Sequence, residues 1–315
     1  MTRILWGMFK KIVIADRLSV IVTELYHNHL AYDGVMIPVA AVSYALQLYM
    51  EFSGVMDIVI GSAGMFGVKL PENFRQPFFS QSASEFWRRW HISLGIWLKT
   101  YVFYPVTTSD LTMKWNRFAR KKFGKYITKI GTSFLALTPV WLFNGLWHGA
   151  SWNYIFYGIY YLVLLMLEVI LEPAKKAFYR HTGFPKNGRF WTGFRILRTW
   201  LIIFTGELFF RAEGLRAGVS MFRSGFRNFG IQRLWDGTLL KMGLDKADWI
   251  VILAGIAVVF VADLLKEKQI DVKAVLAKRS LPVRWAAFYA LIFAVLIFGA
   301  YGSGYRQVDL IYAGF

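Results

Sequence analysis

An almost uncharged run of the chain reads Leu137-Thr-Pro-Val-Trp-Leu-Phe-Asn-Gly-Leu-Trp-His-Gly-Ala-Ser151. Its apolar composition predicts burial in a membrane, yet Asn144 and His148 lie in its second half. A charged side chain at the centre of a bilayer costs roughly 3 kcal/mol, and an imidazole lowers that cost by remaining neutral. Ionisable residues in such runs usually mark functional sites, so His148 is the first candidate. A structural histidine bonded to a neighbouring helix is the alternative.

The composition indicates a membrane protein. Of the 315 residues, 56% are hydrophobic and 18% are aromatic, and several apolar runs approach the ~20 residues of a transmembrane helix. We therefore predict an all-α, polytopic membrane helical bundle. A net charge of +18 would suggest nucleic acid for a soluble protein. Here the basic residues fall between apolar runs, which is typical of cytoplasmic loops held against membrane lipids, so no nucleic-acid partner is expected.

The apolar runs predict one domain over residues 1–315. Its expected spans are 36–67, 131–151, 153–171, 199–210, 249–265 and 285–301. Two further segments, 4–26 and 84–106, are predicted to be interfacial or re-entrant. Segment 4–26 is amphipathic and carries Lys10 and Lys11, so it either lies at the interface or packs on the bundle.

Charge between the spans predicts the topology. Residues 113–129 contain seven Lys/Arg and no acid, and residues 173–198 contain seven more. Two crossings separate these loops, so both fall on one side, which the positive-inside rule makes cytoplasmic. The last span then leaves the C-terminus extracytoplasmic, in a plasma or inner membrane.

Several kinds of chemistry are excluded or not indicated. The chain has no cysteine, so a thiolate nucleophile and a thiolate metal site are excluded. It also lacks the G-x-S-x-G and G-x-x-x-x-G-K-[ST] motifs and any convincing metal-ligand spacing, so no metal and no bound cofactor are predicted. Direct transfer between two bound substrates, with histidine as general base, remains.

A second polar cluster lies in Ser84-Glu-Phe-Trp-Arg-Arg-Trp-His-Ile-Ser-Leu94. In a continuous helix Arg88 and His91 would share one face. Arginine recognises phosphate through paired contacts, so Arg88 and Arg89 predict binding of an anionic, phosphate-bearing ligand. The alternative is an interfacial aromatic belt with arginines that extend to the lipid headgroups.

Two carboxylates interrupt the predicted span 36–67. Glu51 and Asp57 are costly there unless they face a polar interior. We include both among the candidate substrate-binding residues.

Four ordered motifs are more specific than these patterns: QLYMEFSGVMDIVIG at 47–61, LPENF at 70–74, FWRRWHISL at 86–94 and LWHGA at 146–150. They resemble the membrane-bound O-acyltransferase (MBOAT) family, and most of all its bacterial alginate O-acetyltransferase branch. FFRA at 209–212 and the terminal DLIYAGF at 309–315 fit as well, so the resemblance covers nearly the whole chain.

The resemblance implies a bowl of helices with a central channel. By it, His148 matches the near-invariant catalytic histidine and His91 the second conserved polar position, and we count Asn144 and Trp147 among the substrate-binding residues. It also implies that acetyl-CoA is the acyl donor, used as a substrate. An SGNH-hydrolase-like extracytoplasmic partner would then place the acetyl group on an exopolysaccharide of the cell envelope.

The chain departs from the family pattern at three places. Family members usually have several more spans before residues 6–16, so the resemblance implies an N-terminally truncated chain. The common D-F-S-G-Y-S-D reads EFSGVMD at 51–57, and Y-I-P-L-G-G reads VFYPVT at 102–107. Two other functions therefore stay open: a non-catalytic or truncated assembly subunit, and a transporter or channel, although no repeat of broken helices is visible.

Overall fold

The computed structural model describes residues 1–183 and 188–301. Within those residues the chain is helical and has no β-strand, which confirms the predicted all-α class. The helices were predicted as one domain, and their contacts group them into two compact units. One unit contains Met1–Gln76 and the chain from Arg211 onward, and the other contains Pro77–Phe210.

The first unit begins with three consecutive helical segments. They are α1 (Thr2–Met8), a π-helical segment (Phe9–Ala15) and α2 (Asp16–His27), and all three pack along α3 (Met36–Met65). Lys10 and Lys11 are buried in that contact. Segment 4–26 thus packs on the bundle, because its lysines pair with carboxylates of the same unit and do not need water.

The second unit contains the helices that carry both candidate histidines. They are α4 (Ala83–Arg89), α5 (Ile92–Leu98), a π-helical segment (Lys99–Phe103), α6 (Tyr104–Thr108), α7 (Asp110–Trp147), α8 (Trp152–Ile170), α9 (Glu172–Thr182) and α10 (Arg189–Arg211). Helix α7 is kinked at Gly124, where φ is 78° and a residue with a Cβ is disfavoured. The kink separates the basic first part of α7 from its apolar second part, which packs against α8.

The first unit is completed after residue 210. Its later helices are α11 (Leu215–Ser224), α12 (Lys246–Glu267), α13 (Val272–Ala277) and α14 (Leu281–Phe298). Helices α12 and α14 pack on the π-helical segment 9–15. The Arg17 guanidinium binds Asp248 at 2.9 Å, and the Tyr49 hydroxyl donates to Asp263 at 2.6 Å, so polar contacts join α12 to the helices before it.

Three of the described helices are long and apolar enough to cross a membrane, namely α8, α12 and α14. They coincide with the predicted spans 153–171, 249–265 and 285–301. The other predicted spans overlap α3, the second part of α7 and α10, where charged or polar side chains interrupt the apolar run; spans 36–67 and 131–151 extend past the ends of α3 and α7. The terminal motif 309–315 lies outside the described residues.

Candidate active site

The end of α7 places His148. The backbone N–H of His148 donates to the Gly145 carbonyl at 3.2 Å, and that of Gly149 donates to Leu146 at 3.0 Å. Gly149 then turns the chain with a φ of 131°, and α8 begins three residues later. His148 is 8% exposed, so the imidazole lies inside the unit at a break between two helices.

Aromatic rings surround that imidazole. Its centroid lies 4.7 Å from the rings of both Trp147 and Phe210, 6.0 Å from Tyr154 and 6.4 Å from Tyr157. These rings come from α7, α8 and α10. The site is therefore fixed by the packing of three helices and largely excludes water.

His91 contacts the same indole as His148, that of Trp147. Its ring centroid lies 6.0 Å from that of Trp147, so one indole contacts both histidines. The residue is half-buried and adopts a left-handed conformation, with φ 46° and ψ 55°. Because α4 ends at Arg89, the expectation that Arg88 and His91 share a helical face is wrong.

Helix α4, which precedes His91, is held at its N-terminus by side chains. The Ser82 hydroxyl accepts the Glu85 backbone N–H at 3.2 Å, and the Glu85 carboxylate accepts the Gln81 N–H at 2.9 Å. Glu168 of α8 accepts the N–H of Ala83 at 2.9 Å. These bonds satisfy donors that a helix otherwise leaves unpaired, and they tie α4 to α8.

Helix α10 holds the segment just before α4. The Trp200 indole donates to the Phe78 carbonyl at 2.7 Å, and Arg198 donates to the Gln81 carbonyl at 2.8 Å. His91 thus lies on a segment anchored by both α8 and α10.

The two arginines of the FWRRWH motif have different surroundings. Arg89 pairs with Glu85 one turn earlier, at 2.7 Å, so its charge is largely balanced within α4. Arg88 is exposed. Of the two, Arg88 is the more available to an incoming phosphate.

Asn144 lies one turn before His148 on α7. It is 6% exposed, and its Oδ1 has no hydrogen-bond partner among the described residues. The indole N–H of Trp87, in the same unit, is also buried and has no hydrogen-bond partner among the described residues. Buried polar atoms normally have partners, so both atoms mark places where a polar group of a ligand or a water fits.

Glu51 and Asp57 belong to the first unit. Glu51 lies 3.5 Å from the Lys11 ammonium, and Asp57 binds Lys10 at 2.6 Å and Arg3 at 2.8 Å. These ion pairs balance the charges of the buried Glu51 and the partly buried Asp57 without a ligand. The structure therefore brings together His91, Asn144, Trp147 and His148, and it places Glu51 and Asp57 in a separate ionic cluster.

Sequence reasoning missed two residues that contact or anchor the site: Tyr157, whose ring lies against the His148 imidazole, and Glu168, which binds the N-terminus of α4. Glu168 had a visible signal, since it is an acid in the otherwise apolar span 153–171. Tyr157 gave none, because its role depends on tertiary contacts. Across residues 1–183 and 188–301 no three His, Asp or Glu side chains cluster in a way that could hold a metal ion.

Comparison with known proteins identifies the family. Residues 1–210 match the model of the MBOAT, membrane-bound O-acyltransferase family. The chain belongs to this family. The MBOAT chain is 35% identical to a probable alginate O-acetylase of Pseudomonas putida over 231 residues, which cover 73% of this chain and 41% of the relative. The predicted resemblance to the alginate branch is thereby confirmed.

Two other relatives act on different polymers, by their names. The MBOAT chain is 30% identical to a peptidoglycan O-acetyltransferase of Helicobacter pylori over 221 residues, 69% of this chain and 36% of the relative. It is 32% identical to a teichoic acid D-alanyltransferase of Bacillus subtilis over 137 residues, 43% of this chain and 32% of the relative. The chain spans less than half the length of these curated relatives.

Proposed function

We propose that this chain carries the histidine site of a membrane-bound O-acyltransferase, with acetyl-CoA as the acyl donor. The acetyl group would cross the membrane for O-acetylation of an extracytoplasmic polysaccharide. One observation carries the proposal: His148 is buried at a helix break, walled by aromatic rings and one helical turn from the buried Asn144. The family and its O-acetylating relatives support the same reaction class.

His148 acts as general base in this proposal. It removes the proton from an attacking hydroxyl, whose oxygen forms a bond to the acetyl carbonyl carbon. The bond from that carbon to the CoA sulfur breaks, and the departing thiolate takes up the proton. Base catalysis of this kind typically contributes 10²- to 10⁴-fold.

The neighbouring residues would bind the substrates. His91 is a second catalytic candidate because its ring contacts the same Trp147 indole that contacts His148. Asn144 offers its free acceptor oxygen to a substrate hydroxyl or amide. Arg88 would bind the CoA phosphates. Arg89 is the weaker candidate for this contact, because it is already paired with Glu85. The proposed setting is the inner membrane, with an extracytoplasmic C-terminus and an SGNH-hydrolase-like partner that completes transfer to the polysaccharide.

The test is complementation of a strain that lacks the chromosomal copy of this gene. Whole-cell O-acetylation of the surface polysaccharide would be measured after expression of the unaltered chain, His148→Ala or His181→Ala. His181 is an exposed histidine on α9 and serves as the matched control. We expect the unaltered chain and His181→Ala to restore acetylation, and His148→Ala to abolish it at near-normal membrane abundance.

The outcomes distinguish the enzyme from an assembly subunit. Full restoration by His148→Ala would remove this residue from the chemistry and favour an assembly subunit, which does not need an imidazole. Failure of the unaltered chain and of both variants at normal abundance would contradict the proposal for this chain.

A further inference from the structure

Polar contacts join α8 to α10 along one seam. Asn153 and Tyr157 lie one turn apart on the same face of α8. The Asn153 side-chain amide donates to the Phe210 carbonyl at 3.1 Å, and the Tyr157 hydroxyl donates to the Glu207 Oε1 at 3.0 Å. Both acceptors belong to the last turns of α10. We call these two hydrogen bonds the α8–α10 seam.

Glu207 is an unusual residue for this place. It is 3% exposed, and its Oε2 has no hydrogen-bond partner among the described residues. Burial of a carboxyl group costs free energy that an aliphatic side chain would avoid. Packing alone therefore does not explain an acid at position 207.

The His148 ring lies against both residues that the seam holds. Its centroid is 4.7 Å from that of Phe210 and 6.4 Å from that of Tyr157, and both rings are nearly perpendicular to the imidazole. The Phe210 and Tyr157 rings also contact each other, at 4.8 Å. A shift of either ring would leave the imidazole without a wall on that side.

We propose that Glu207 is a positioning residue for His148 and acts through Tyr157. By accepting the Tyr157 hydroxyl, it fixes the Tyr157 ring and the end of α10 that carries Phe210. These two rings then hold the imidazole in the orientation that base catalysis needs. The inference rests on the proposed role of His148 and assigns Glu207 no contact with substrate.

Four variants in the full chain test this role. Tyr157→Phe removes the donor, and Glu207→Leu removes the acceptor. Glu207→Gln keeps an acceptor oxygen of the same size and place. Tyr160→Phe is the matched control, since the Tyr160 hydroxyl donates to the Ile202 carbonyl at 2.9 Å and thus joins the same two helices away from His148.

The first measurement is acyl-transfer kinetics. A small misplacement of a catalytic group costs up to about 10²-fold in rate. We expect Tyr157→Phe and Glu207→Leu to lower kcat by about tenfold or more while the donor KM changes less than about twofold. Glu207→Gln and Tyr160→Phe should stay within about threefold of the unaltered chain. An equal loss in Tyr160→Phe, or no rescue by Glu207→Gln, would overturn the proposal.

The second measurement does not depend on activity. Diethylpyrocarbonate modifies accessible, neutral imidazoles, and mass spectrometry follows its reaction at His148 alone. We expect an altered rate at His148 in Tyr157→Phe and Glu207→Leu and an unaltered rate in the other two variants. An unaltered rate in all four would overturn the positioning role, whatever the transfer rates. A chain without transfer activity that shows the expected pattern would instead refute the proposed function and keep the positioning role.

Discussion

His91 occupies a backbone conformation that few side chains tolerate. Left-handed residues other than glycine are uncommon, and asparagine, aspartate and histidine are enriched among them. Such residues cluster at functional sites, where surrounding structure maintains the strain. Here the anchors at the N-terminal end of α4 support the segment that leads to His91, because α8 binds Ala83 and α10 binds Phe78. Position 91 thus combines a strained backbone with an imidazole near the proposed base.

Two substitutions separate the backbone requirement from the imidazole. His91→Asn tolerates the left-handed conformation but lacks the ring, so we expect normal abundance and a loss of acyl transfer of about tenfold or more. His91→Val should also destabilise the chain by about 1–2 kcal/mol. Thermal unfolding in detergent and transfer assays would measure the two effects. Normal transfer by His91→Asn would exclude a role for the imidazole.

At the scale of residues, the sequence predicted the site only where one side chain carries the signal. His148 and Asn144 stand out because they are polar in an apolar run. The balance of Arg89 by Glu85 was also open to prediction, since residues four apart are neighbours on a helix. The left-handed His91 and the bond from Tyr157 to Glu207 were not, because both depend on contacts between distant segments.

At the scale of elements, the crossing of α7 and α8 sets the position of His148. Glycines lie at the closest approach: a Cβ on Gly145 would be 2.5 Å from the Tyr154 carbonyl oxygen. A Cβ on Gly158 would likewise meet the Trp141 carbonyl oxygen. Small residues allow helices in membranes to pack this closely. Because His148 follows Gly145 by three residues, any separation of the helices moves the imidazole.

We expect Gly158→Ala to destabilise the chain by about 1–3 kcal/mol, as overpacking does, and to lower acyl transfer. Gly193→Ala in α10 is the matched control, because a Cβ there meets no atom within 4 Å. That substitution should be neutral or stabilise the helix by up to about 1 kcal/mol. The thermal unfolding midpoints of the two variants measure this difference in stability. Equal midpoints for Gly158→Ala and Gly193→Ala would contradict the close packing of α7 and α8.

Hydropathy predicted the existence of the long helices, and the approximate bounds of α3, α8, α12 and α14. Helices α7 and α10 begin well before the predicted spans 131–151 and 199–210, because basic residues lower the hydropathy of their first parts without stopping helix formation. Hydropathy could not predict the π-helical segments or the kink at Gly124. A change in the number of residues per turn over a few positions leaves the apolar content of the segment unchanged. The broken helix at 83–98 was missed for a similar reason: its residues suit a continuous helix, whereas in the structure Trp90 is extended and His91 is left-handed.

At the scale of the whole molecule, the charge distribution predicts orientation in the membrane. Within the second unit, the start of the second part of α7 meets the C-terminal end of α8: Lys129 pairs with Glu172, and the Tyr126 hydroxyl donates to the Ile170 carbonyl at 2.5 Å. The hydrogen bonds from Lys129 and Lys176 lower the pKa of Glu172 to about 2, so this carboxylate stays ionised at neutral pH. The basic segments 113–129 and 173–198, which were predicted as loops and are largely helical in the structure, therefore adjoin each other in this unit.

The absence of cysteine makes a labelling test direct, since each variant has a single thiol. Lys121→Cys should resist a membrane-impermeant maleimide in intact cells and react after lysis, because positive loops stay cytoplasmic. Ser151→Cys, an exposed position between α7 and α8, is the counterpart and should react in intact cells. Rapid labelling of Lys121→Cys without lysis would invert the topology.

In the first unit, the ion pairs of the π-helical segment 9–15 depend on the exact number of residues in that segment. In an α-helix consecutive side chains diverge by about 100°, whereas the wider turn of a π-helix lets neighbours point in more similar directions. Lys10 and Lys11 can therefore both reach carboxylates, Asp57 for one and Asp16 for the other. Deletion of one residue here would restore the tighter turn and rotate one ammonium away from its partner. Natural length variation should accordingly be rare between residues 9 and 15, even where side chains differ.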